Sequence, residues 1–83
     1  MASLINEQLK QAVQAAIAGD WDASHQIAQA DNSPTACWIH AVLHKLEGDA
    51  ANSRYWYARS GGQRYEDYAD VQDELKAIAA SLG

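Results

Sequence analysis

His40, His44 and Glu47 recur at three- and four-residue spacing in the run CWIHAVLHKLEGD. On a helix this spacing sets two imidazoles and a carboxylate along one stripe. Imidazoles four residues apart can chelate zinc or another transition ion, and a histidine beside a carboxylate can hold or move a proton. A metalloprotease helix carries a glutamate directly after its first histidine, but here that position is Ala41. His25 lies upstream and could approach the pair, although no spacing demands it. The competing and favoured reading is structural: His40 and His44 pack against the next helix and hydrogen-bond Tyr57, Ser53 or a carboxylate. No metal, cofactor or catalytic group is therefore assigned, and His40 and His44 stand as the metal candidates.

A second group follows in RYWYAR, where cations and aromatic rings interleave. Such a run can stack a nucleobase or grip a phosphate. Successive helical positions point in different directions, however, so Arg54, Tyr55, Trp56, Tyr57 and Arg59 do not form one patch. Trp56 and Tyr57 read as core, Tyr55 and Arg59 as surface, and Arg54 as a partner for Glu47 or Asp49 at the preceding turn. If the faces of the two helices converge, His40, His44, Glu47, Tyr57 and Arg59 form a candidate polar site. A ligand-binding or metal-binding protein, or a small enzyme, built on that stripe is the alternative to the main reading given below. No nucleophile–base pair, phosphate loop or paired-cysteine site is visible.

The elements that must position these residues are helical. In 83 residues there is room for one domain with a thin core. Alanine is abundant and β-branched residues are few, which favours helices over strands. Trp21, Trp38 and Trp56 are expected to supply much of the buried area. The net charge of −5 argues against general nucleic-acid binding, although a basic middle (residues 35–64) lies between two acidic flanks. Cys37 is single, so no intramolecular disulfide forms, and a reducing, cytoplasmic setting is expected. No apolar run approaches the roughly 20 residues of a membrane span, and the start lacks the order of a signal peptide.

Helix 1 is predicted from Ser3 or Leu4 to Ala18, with Ile5, Leu9, Ala12, Val13, Ala16 and Ile17 as its apolar stripe, Ser3 or Asn6 as a cap, and Gly19 as its stop. Asp20 caps helix 2, which ends at Asp31-Asn32-Ser33. Ser33 with Pro34 at the first helical position is the clearest helix start in the chain. Helix 3, Pro34 to Glu47, is apolar over an arc of about 140° and is placed centrally. Gly48 ends it and Asp49 caps helix 4, predicted from Ala50 to Ser60 before a Gly61-Gly62 break. Helix 5 is predicted to begin near Glu66–Tyr68 and to end near Leu82, with Tyr68, Val71, Leu75, Ile78 and Leu82 as its stripe.

Gly19-Asp20 returns as Gly48-Asp49, with Ser24 in register with Ser53, Val13 with Val42 and Ile17 with Leu46, at a spacing of 29 residues. Two such hairpins are a repeat architecture. The pattern resembles the tetratricopeptide repeat, and the second unit is similar to its Sel1-like relative: Ser53, Trp56, Tyr57, Arg59, Ser60 and Gly61 fall where that family places a small residue, Trp-Tyr, a basic residue and small residues, and Ala41 fits the small position of the preceding helix. The run NSRYWYARSGG also resembles small bacterial proteins of uncharacterised function. The resemblance implies a protein-binding scaffold with a groove lined by the first helix of each hairpin, here Leu9, Val13, Trp38, Val42 and Lys45. Such a groove needs a cover, which is either helix 5 through Val71, Leu75 and Ile78 or a second copy of the chain.

The expectation is thus an all-α single domain over 1–83: two tetratricopeptide-like hairpins (about 4–30 and 34–60) and a C-terminal capping helix (about 67–82). The leading functional reading is a non-enzymatic interaction module that binds a protein partner or itself, with no membrane among its partners; a nucleic-acid contact through Arg54, Arg59 and Arg64 is the reading the overall acidity disfavours most.

Overall fold

The computed structural model describes residues 4–83, with the side chains of Leu4 and Ile5 excepted. The expected cap Ser3 and the Ile5 side chain of the first stripe lie outside what is described. The architecture is all-helical: α1 (Leu4–Ile17), α2 (Trp21–Gln29), α3 (Pro34–Leu46), α4 (Ala50–Tyr57), a short 3-10 turn (Tyr65–Asp67) and α5 (Val71–Ser81). α1 packs on α2 and α3 on α4, as two hairpins. α2 joins the pairs by lying against α3, and α5 lies across α1 and α3.

The two hairpin turns share one backbone solution. Gly19 and Gly48 take φ of +88° and +82°, a left-handed conformation that only glycine adopts cheaply. The aspartates that follow have nearly the same dihedrals, and each side chain accepts from the backbone N–H three residues on, Ala23 and Asn52. Ser24 and Ser53 are both fully buried, which lets the helices approach closely. The Ser53 hydroxyl donates to the Ala41 carbonyl at 2.7 Å. Replacing Gly48 with Ala should lower unfolding free energy by about 1–2 kcal/mol through the positive φ, and Asp49→Ala by about 1 kcal/mol through the lost cap. Urea midpoints read both, and no change for either would disprove the turn assignment.

α3 is the axis of the domain. Every residue from Ala36 to Leu43 is buried, because α1, α2, α4 and α5 all touch it. Ile39, Leu43 and Val42 meet Val13 from α1 and Leu75 and Ile78 from α5 in the centre of the core. The indoles contribute less than expected: Trp38 is buried, whereas Trp21 and Trp56 are half-buried at the edge of the core.

Two predicted ends move, each for a local reason. α4 stops at Tyr57 rather than Ser60, because the Ser60 hydroxyl turns back to donate to the Tyr57 carbonyl at 2.6 Å and accepts from the Gln63 N–H. Gly61 then passes close to Pro34, where a Cβ would lie 3.2 Å from the proline Cβ. α5 starts at Val71 rather than near Glu66–Tyr68. The carbonyls of Tyr65 and Tyr68 accept from the Lys45 ammonium, each at 2.8 Å, instead of from helical N–H groups. Asp70 caps the helix that begins after them.

Candidate functional site

Three histidines meet where the two hairpins join. His40 and His44 stand one turn apart on α3 with their rings stacked at 4.9 Å. α2 brings His25 to them: its Nε2 lies 3.1 Å from His40 Nε2. One ring nitrogen of each of the three lies within 4.8 Å of the others. Indoles close two sides. Trp21, one turn before His25 on α2, stacks on the His25 ring at 4.6 Å, and Trp56 from α4 stacks on His40 at 3.9 Å. The Trp21 indole N–H also donates to the Leu43 carbonyl at 2.7 Å, which fixes α2 against α3.

Burial pushes the pKa of His40 down to about 4, and the neighbouring His25 and His44 add to the shift. Burial also lowers that of His25, followed by the effect of His44, while Glu47 and Asp22 oppose it. His44 shares a hydrogen bond between its Nδ1 and the Glu47 carboxylate. A proton on Nδ1 facing a carboxylate leaves the lone pair of the neutral ring on Nε2. Asp49 is also near His44, but its oxygens are committed to the Asn52 backbone and side-chain amides.

Of the candidate polar site, the fold brings together His40, His44 and Glu47 and adds His25. Tyr57 and Arg59 do not join them. The Tyr57 hydroxyl points to the opposite side of α3, where it donates to Glu74 at 2.6 Å. The Arg59 guanidinium lies over the exposed Tyr55 ring at 4.1 Å. Of the two, His40 packs on α4 through Trp56, and His44 keeps its ring contacts on α2 and α3; neither bonds Tyr57 or Ser53, and His44 bonds a carboxylate, that of Glu47. Arg54 pairs with Glu66, not with Glu47 or Asp49.

The candidate groove residues Leu9, Val13, Trp38, Val42 and Lys45 form one surface, and α5 covers it. Leu75 and Ile78 are fully buried there. The covering helix carries one buried acid, Glu74. Its position was legible, because 71, 74, 75 and 78 share one helical stripe. Glu74 accepts from Trp38 Nε1 at 2.9 Å, from the Tyr57 hydroxyl and from the Lys45 ammonium at 3.0 Å. Burial, followed by the contact with Glu74, raises the pKa of Tyr57 above its ordinary value. This network is sealed from solvent and serves as a fastening for α5.

Two clefts stay open among the described residues: a shallow one of about 260 Å³ between Arg54, Tyr57, Arg64 and Tyr65, and a deeper one. The deeper one measures about 220 Å³ and lies beside Trp21, lined by Ile17, Leu43, Leu46, Glu47 and Gln72. The chain matches no protein-family model, no curated protein and no solved structure. No helix among the described residues is long and apolar enough to cross a membrane.

Proposed function

We propose that the chain is a non-enzymatic, tetratricopeptide-like interaction module, and that its contact surface is the open cleft beside Trp21 rather than the groove read from the sequence. The observation that carries this reading is Leu46, 44 % exposed at the mouth of an apolar cleft that no element among the described residues fills. α5 occupies the other groove, so an incoming chain would have to displace a helix held by a buried ion pair. At the cleft, an apolar side chain inserted between Ile17, Leu43 and Leu46 removes exposed hydrocarbon from water. A basic neighbour on the partner would face Glu47, the acidic group of the lining. The repeated Gly-Asp turns support the module reading.

The test is affinity capture and light scattering with the wild-type chain and Leu46→Asp. A charge at the cleft should weaken partner or self-association at least tenfold and leave the helical content unchanged. A strictly monomeric wild type that captures no partner, or capture that Leu46→Asp leaves intact, rules the reading out.

A further inference from the structure

We infer that His25, His40 and His44 form a site for a divalent transition ion that prefers imidazole, zinc foremost, and that the bound ion ties α2 to α3. The inference is independent of partner binding at the cleft. Three observations carry it. First, the ligand atoms are already close: the His25 and His40 Nε2 atoms are 3.1 Å apart, and the third ring nitrogen lies within 4.8 Å of both. Two imidazole nitrogens bound to one tetrahedral zinc at its usual bond length are about 3.3 Å apart, so the first pair is already at ligand separation and the His44 nitrogen has only the remainder of 4.8 Å to close.

Second, the surroundings match what such an ion asks of a protein. Glu47 accepts from Nδ1 of His44, and a carboxylate in that position both fixes the tautomer of a metal-bound histidine and raises its basicity. When the ion enters, the one Nε2 proton shared between His25 and His40 leaves that nitrogen. That ring takes up a proton from water at Nδ1 as its Nε2 proton passes to water, so it stays neutral, and with a small turn of the two rings both Nε2 lone pairs are free to bind the metal. Trp21 and Trp56 wall the site with apolar surface, and three protein ligands leave the fourth position to water.

Third, the three rings meet at the seam between the hairpins, contributed by α2 and α3. His25 comes from one hairpin and His40 and His44 from the other, so an ion bound here links the two repeats.

The experiment uses the full chain without an affinity tag, stripped with a chelator and then dialysed free of it. Zinc chloride should raise the melting temperature with 1:1 stoichiometry by calorimetry, and cobalt(II) should give the visible absorption of a tetrahedral nitrogen site. Copper(II) should quench the fluorescence of Trp21 and Trp56. His25→Gln and His44→Gln, on different helices, should each weaken zinc binding at least tenfold, and Glu47→Gln by a smaller factor. If the wild-type chain gains no thermal stability from zinc and shows no cobalt absorption, there is no site. Binding that persists unchanged in both histidine variants places the ion elsewhere and equally overturns the inference.

Discussion

Lys45→Met should cost about 3–5 kcal/mol of stability, the largest effect expected of any single side chain in this fold. The ammonium of Lys45 is 3.0 Å from the Glu74 carboxylate, and both side chains are almost wholly buried. Removing one partner of a buried pair leaves the other desolvated and unpaired, which is why such changes cost far more than the pair itself contributes. The loss extends beyond the acid. The carbonyls of Tyr65 and Tyr68 also accept from Lys45, and they would face apolar methionine instead. A domain of this length has a total stability of only about 4–12 kcal/mol, so the variant should be near its unfolding midpoint at modest urea concentration.

A double-mutant cycle separates the buried-charge effect from simple loss of packing. Glu74→Gln keeps an oxygen to accept from Trp38 and Tyr57 but carries no charge. In that background Lys45→Met should cost at least about 1–2 kcal/mol less than in the wild type. The segment carrying α5 should also lose amide-exchange protection first, because the ion pair fastens it. A Lys45→Met variant within about 1 kcal/mol of wild type, or a cycle with no coupling, would show that the pair is not a fastening.

The same pair explains much of what the sequence did and did not disclose. Helix starts were legible wherever a local group sets them: Asp20, Ser33 with Pro34, and Asp49 all cap where they were expected to. The central place of α3 followed from its wide apolar arc. The late start of α5 was not legible, because the donor that takes the Tyr65 and Tyr68 carbonyls is a lysine twenty or more residues upstream. The candidate site divides the same way. His40, His44 and Glu47 fall together because helical spacing alone sets them on one stripe. Tyr57 and Arg59 could join that stripe only if α4 turned its polar groups toward it. α4 instead turns Trp56 toward His40 and sends Tyr57 past α3 to Glu74. His25 enters the cluster through the angle at which α2 meets α3, and that angle depends on the bond from Trp21 to Leu43.

Acid should destabilise the metal-free chain before its carboxylates begin to matter. The groups that set this are His40 and His25, both held below their ordinary value of 6.5 in the fold. A histidine whose native pKa is depressed binds fewer protons folded than unfolded at mildly acid pH. Its contribution is complete above the unfolded value near 6.5 and is lost as pH falls toward the native value of about 4. The groups facing His40 are the His25 ring from α2, the His44 ring on its own helix and the Trp56 indole from α4. None of these is an acid, so no carboxylate touches the imidazolium that would form. Glu47 bonds His44 instead, and Asp22 acts only on His25. Asp49 and Glu66, the acids with depressed values, release stability only below the ordinary carboxylate range, so their window lies further down. Between pH 7 and pH 5 the chain in excess chelator should therefore lose about 2 kcal/mol through His40, read as a falling urea midpoint. His40→Phe keeps a ring against Trp56 but cannot take a proton, and it should flatten the slope to the smaller part that His25 supplies. A wild-type midpoint that stays level over this range, or a slope that His40→Phe leaves unchanged, would mean that the cluster takes up protons as readily in the fold as out of it.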